Sequence, residues 1–184
     1  LVLAVAGAVL IASALLLFFH NQKEDCRAGE QSQAVLEEMH QIQDDGGAAL
    51  PVGSLPTPTN GSEEAGIPEI PTVQIDGYDY IGTLTIPALE LPVMAEWDYD
   101  RLLIAPCRQF GTTQTNDLVI AAHNYTRHFG LLYELSPGDA VIFTAPDGAG
   151  IDYVVAEVRT LAPDEVEAVQ NSGHALTLYT CTSG

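Results

Sequence analysis

From Leu1 to Phe19 the chain carries no charged side chain, and Ser13 is its one hydroxyl. Wound as an α-helix, this stretch would rise about 28 Å, close to the hydrocarbon thickness of a bilayer. It is apolar all round rather than on one stripe, which argues against a helix laid on a soluble core. A secretory h-region is shorter, and no small-x-small cleavage site comes after Phe18-Phe19-His20. Residues 1–19 therefore read as an uncleaved transmembrane signal anchor. Lys23 and Arg27 on its downstream flank are a weak positive-inside signal, offset by Glu24 and Asp25 among them.

Two further segments separate this stretch from the rest. Residues 20–43 are polar, with Ala34, Val35, Met39 and Ile42 at loose helical spacing. This is expected to be a juxtamembrane helix or stalk, with a solvated helix the simpler view and a partner-binding one the other. Residues 44–74 contain Gly46-Gly47, Pro51, Pro56, Pro58, Gly61, Gly66, Pro68 and Pro71. Such a segment buries too little apolar surface to offset its ordering entropy, so it reads as a disordered, acidic spacer. Together these pieces would hold a domain away from a membrane surface.

Residues 75–184 have a different character. Apolar runs of strand length alternate with turn signals: Tyr80–Ile86, Leu91–Met94, Leu118–His123, Ala140–Phe143, Ile151–Val158 and Ala175–Thr180. Pro92 marks Leu91–Met94 as an edge strand, because proline lacks a ladder donor. Short helices are expected at Asp98–Ile104, capped by the aspartate, at Gly130–Leu135 and at Pro163–Val169. Many short strands between turns predict a mainly β fold, a small mixed barrel with short helices.

Charge removes some functions. With 25 Asp+Glu against 6 Lys+Arg the formal net charge is −19, so a phosphate backbone would be repelled and nucleic acid is not an expected partner. No phosphate-cradling glycine loop is present. His128 lies five positions after His123, but no further ligands can be placed beside them, so neither a metal nor a cofactor is expected.

The three cysteines, Cys26, Cys107 and Cys181, have no CxxC spacing, and their odd number leaves at least one thiol outside any intramolecular pair. Two reactive groups stand at strand ends: His123 after Leu-Val-Ile-Ala-Ala, and Cys181 after Ala-Leu-Thr-Leu-Tyr-Thr. A thiolate is a nucleophile, and an imidazole beside it can take its proton and return it to a leaving amine. Spacing alone leaves a plainer alternative open, a core cysteine and a loop histidine that never meet. Cys107 is expected to be buried or half-buried and non-catalytic, with a disulfide to Cys181 as the other option. His174 reads as a surface residue.

Thr177-Leu-Tyr-Thr-Cys181 resembles the TLxTC motif that carries the nucleophile in sortases. Asp117–Tyr125 resembles the strand and loop carrying the sortase histidine, although Ala121-Ala122 stand where relatives often have glycine. His128-Phe-Gly130, Leu132, Leu135 and Pro137-Gly-Asp139 are similar to the next stretch of those enzymes, and Tyr80-Ile-Gly82 to Pro87 resembles the opening strand. The likeness runs from Tyr78 to Gly184 in consistent order and is nearest to class B or class D-like sortases.

The resemblance implies a sortase-like catalytic domain over 75–184. Cys181 would be the nucleophile, His123 the general acid/base, and Thr180 and Asn124 candidate substrate contacts. The implied reaction is cleavage of an LPxTG-like sorting signal through a thioacyl enzyme, then transfer to an amine of a peptidoglycan precursor or pilin. The domain would lie outside the cell membrane of a Gram-positive type bacterium. Sortases also carry an arginine on the strand after the cysteine, and no residue here matches it, so the chain is expected to be a truncated and incompetent fragment lacking its last strand. Two rivals remain: a catalytically inactive, membrane-tethered binding or structural module of the same fold, and an L,D-transpeptidase-like cross-linker, whose SHGC-type motif is absent.

Overall fold

The computed structural model describes residues 2–44, 70–87 and 89–182. Most of the expected spacer lies outside the described residues. The chain opens with one uninterrupted helix, α1 (Val2–Asp44), so the apolar stretch and the polar segment after it share a single axis. It is long and apolar enough to cross a membrane. Val5, Val9, Leu10, Ile11, Leu15, Leu16, Leu17, Phe18 and Phe19 all point away from protein.

The remainder is mainly β. The strands are β1 (Val73–Ile75), β2 (Tyr78–Ile86), β3 (Leu89–Met94), β4 (Cys107–Phe110), β5 (Leu118–Ala121), β6 (Ala140–Thr144), β7 (Gly150–Val154) and β8 (Leu176–Tyr179). Seven of them form a curved, nearly closed sheet in the order β7-β6-β2-β3-β4-β5-β8, and β1 adds to β2. β1 and β2 meet through Asp76-Gly77, both at positive φ, the geometry a two-residue hairpin needs to match strand twist. Gly82, at φ 143°, sits where β2 shifts register against β3. A Cβ there would fall 2.1 Å from the Thr144 carbonyl oxygen, so only glycine lets β2 approach β6.

Helical pieces are short. Asp98 caps α2 (Tyr99–Leu102): its Oδ1 accepts from the Arg101 amide at 2.7 Å while Oδ2 accepts from the Arg101 guanidinium at 2.7 Å. Leu132–Glu134 is a single 3₁₀ turn within the helix expected over Gly130–Leu135. The helix expected from Pro163 begins later, as α3 (Val166–Gln170), after a turn in which the Ala162 amide donates to Glu165 Oε2 at 2.6 Å.

Two strand expectations are revised. β3 is interior in the strand order, yet β4 pairs with it only at Met94↔Cys107. The side of Pro92 away from β2 therefore has no ladder to break, and the proline is tolerated as on an edge. The strand expected over Ile151–Val158 stops at Val154. Among the described residues only β6 pairs with it, and Val154 is 67% exposed, so the strand's mixed pattern meets no second surface there.

Packing is two-layered. Ile81, Leu84, Leu91, Val93, Leu118, Ile120, Phe129 and Phe143 fill the concave side. On the outer side Val73, Ile75, Tyr80, Met94, Leu102, Ala105, Cys107 and Ala121 are covered by Val35 and Met39 of α1. β5 is thus buried on both faces, as its unbroken apolar run implies.

The polar segment of α1 is accordingly not solvated around its circumference. Ala28, Gly29, Ser32, Val35, Leu36 and Met39 form a buried stripe at steps of three and four. Burial of Met39 to 1% exposure, like that of Val35, stabilises the docked helix by about 1.5–3 kcal/mol. Small residues at the N-terminal end of the stripe disguise its periodicity, because Ala, Gly and Ser add little hydrophobicity while permitting close approach.

Candidate active site

Parallel strands carry their C-terminal ends to the same edge, and β5 and β8 are a parallel pair. Their register runs Leu118↔Leu176, Val119↔Thr177, Ile120↔Leu178, Ala121↔Tyr179. The pairing continues past the ladder. The Ala122 amide donates to the Tyr179 carbonyl at 3.2 Å, and Thr180 Oγ1 donates to the Ala122 carbonyl at 2.8 Å. His123 and Cys181 each lie two positions beyond the last ladder pair, at the same end of this strand pair. Thr180 has a structural task there, pinning the end of β8 to β5. Asn124 is exposed beyond His123 and is not without an interaction partner.

The His123 loop is folded back on itself. The Phe129 amide donates to the His123 carbonyl at 3.2 Å, and the His128 and Gly130 amides donate to the Tyr125 carbonyl at 3.0 and 2.8 Å. His123 faces Tyr125 with ring centroids 5.0 Å apart, and Tyr125 faces His128 at 5.5 Å. Partial burial pushes the His123 imidazole below its ordinary range, so the neutral, proton-accepting form prevails at neutral pH.

His128, which the sequence offered only as a doubtful metal ligand, is fully buried and meets α1. Ser32 Oγ donates its one hydrogen to the Ile104 carbonyl at 3.1 Å and lies 3.4 Å from His128 Nε2. Nε2 must then carry the proton, leaving Nδ1 as a buried acceptor with no partner. Burial, and then the neighbouring His123, lower the His128 pKa to about 4. The unfolded chain protonates near 6.5, so stability is complete above that pH and is lost as pH falls towards 4. Denaturation in detergent should show a loss of about 2 kcal/mol between pH 7 and pH 5. His128→Gln should flatten that dependence; an unchanged slope in the variant would exclude His128 as its source.

The cysteines differ sharply in setting, and all three are free thiols. Cys107 lies on β4 beneath α1, and its Sγ donates to the Ala105 carbonyl at 3.4 Å. Burial pushes its thiol up to about 12, so it stays protonated and inert. Cys181 is exposed at the rim, close enough to Tyr179 to add to the upward shift that burial gives that phenol. Cys26 is exposed on α1.

Arg101 is bound to Asp98 and Glu96, Arg108 to the Ala95 and Gly111 carbonyls, and Arg159 to Glu157 and the Ala168 carbonyl. His174 is at the surface beside Glu157, 3.2 Å away. No cluster of three or more His, Cys, Asp or Glu side chains suited to a metal occurs among the described residues. A recess lined by Ile70, Ile81, Phe143 and Ile151 includes neither His123 nor Cys181.

β5 and β8 end side by side in a nearly closed mixed β-sheet, with His123 following one and Cys181 following the other. The sortase domain model matches residues 84–184, more than half of the chain, and the chain belongs to the sortase family. Solved structures similar to it include sortase A from Corynebacterium diphtheriae, a lid mutant, at 22% identity and TM-score 0.49, covering 56% of this chain and 61% of that one. Sortase C from Streptococcus pneumoniae is 23% identical at TM-score 0.49, covering 88% and 87%. Sortase C from Clostridium perfringens SM101 is 21% identical at TM-score 0.48, covering 84% and 81%. The chain spans about three fifths of the length of the diphtherial enzyme it matches. A search of curated proteins gives no match.

Proposed function

We propose that this chain is part of a membrane-anchored cysteine transpeptidase, with Cys181 as nucleophile and His123 as general acid/base. The observation that supports it most is the parallel β5–β8 register, which carries both residues past the ladder by the same two positions. In this reading the Cys181 thiol passes its proton to neutral His123, and the sulfur attacks the Thr–Gly carbonyl of an LPxTG-like sorting signal. The tetrahedral adduct collapses as the C–N bond breaks, and His123 returns the proton to the departing glycine amine. An amine of a peptidoglycan precursor or pilin then attacks the thioester and gives a proton to His123; the C–S bond breaks as the new amide forms, and the leaving thiolate takes that proton back to restore the Cys181 thiol. The anchor is α1, with the β-domain on the outer side of the membrane and a class B or class D-like assignment from the motif.

A non-catalytic, membrane-tethered module of the same fold has one observation in its favour. Arg101, Arg108 and Arg159 are all engaged elsewhere, so none of these three is free to stabilise an oxyanion. One experiment separates the readings. The full-length protein is incubated with an LPxTG-like peptide, with and without hydroxylamine, and analysed by intact mass. The transpeptidase reading expects a thioacyl adduct on Cys181 that hydroxylamine discharges as a hydroxamate. Peptide binding with neither adduct nor hydroxamate would leave the tethered module standing.

A further inference from the structure

Because α1 is one helix, its contacts can be ordered by distance from the apolar stretch. Asp25 comes first, and its Oδ1 accepts from the Arg127 amide at 3.1 Å. Next is Gly29, where a Cβ would strike the Arg127 side chain, and then Ser32 with His128. Val35 and Met39 cover the middle of the sheet. Last are His40, 3.0 Å from Glu90 at the start of β3, and Gln43, whose amide donates to the Ala145 carbonyl at 3.4 Å. The helix therefore meets the His123 loop first and the β2–β3 turn near its far end. Phe19 to Asp25 is a rise of about 9 Å, whereas Asp25 to Gln43 adds about 27 Å.

Charge is arranged in the same order. Of 6 Lys+Arg in a chain of net charge −19, Lys23, Arg27 and Arg127 gather at the end nearest the apolar stretch, interleaved with Glu24 and Asp25. We propose that α1 docks the β-domain with the rim bearing His123 and Cys181 turned towards the lipid headgroups, so that this rim is a membrane-facing surface. The proposal rests on α1 as the anchor. The docked helix then holds the domain close to the bilayer and sets its height. Access to the rim then favours peptides and amines that are themselves tethered to the membrane.

The test is energy transfer from a dye on the protein to acceptor-labelled lipid in phosphatidylcholine–phosphatidylglycerol vesicles. One dye sits on Cys181 in a Cys26→Ser background, Cys107 being buried. The other sits on the thiol of Pro87→Cys, at the exposed β2–β3 turn, with Cys26→Ser and Cys181→Ser. From the axial offset along α1, transfer from the Cys181 position should be higher by about twofold or more. A Pro-Gly insertion after Gln22, which breaks the shared axis, should collapse the difference. Equal transfer from both positions, or the reverse order, in protein that floats with the vesicles overturns the orientation while leaving the anchor intact. Protein that does not float overturns the anchor itself.

Discussion

Cys181→Ala should lower kcat/KM for sorting-signal cleavage by on the order of 10⁴-fold or more, because the covalent route disappears with the sulfur. The side chain is exposed at a strand end, so the variant should fold with an unchanged melting temperature. Cys26→Ser is the internal control. Its thiol lies on α1, outside the β5–β8 rim, and that variant should keep the rate of the parent protein. Cys107→Ser is a poorer control, since it places a hydroxyl beneath α1 where a thiol was packed. Substantial turnover in Cys181→Ala would remove this residue as the nucleophile and return attention to the tethered module.

His123→Ala should cost about 10²- to 10⁴-fold in kcat/KM, the usual worth of a positioned acid–base group. Its pH signature distinguishes this role from a packing role. Burial favours the neutral imidazole, so if His123 accepts the thiol proton, activity should rise through a limb lying below pH 6.5. The limb should vanish in His123→Ala. His128→Gln, at a buried position in the His123 loop, should flatten the pH dependence of stability yet keep the limb. Loss of rate in His123→Ala with an unaltered pH limb would count against proton transfer by His123.

The two strands that lead to the proposed site were legible before any tertiary contact was known, for a physical reason. A nucleophile fixed at the end of a strand needs an apolar run before it, and Leu118–Ala121 and Leu176–Tyr179 are such runs. Their pairing was not legible. Parallel partners are remote in sequence, and nothing local in either run specifies the register that carries His123 and Cys181 the same two positions past the ladder. Cys107 shows the same divide. Its sequence neighbours left a disulfide open, whereas burial under α1 and the Ala105 carbonyl leave it a protonated, free thiol.

The apolar stretch at the N-terminus was determined by sequence alone, as a helix of membrane-spanning length, because its composition allows few other solutions. The docking of the polar half of α1 was decided by tertiary structure. Ala28, Gly29 and Ser32 carry too little hydrophobic signal to announce a docking face, and their value lies in the close approach they permit to Arg127, His128 and Ile104. Close packing depends on which surface is opposite, and that surface is assembled from β1 to β5, the segment after α2 and the His123 loop only once the sheet has formed.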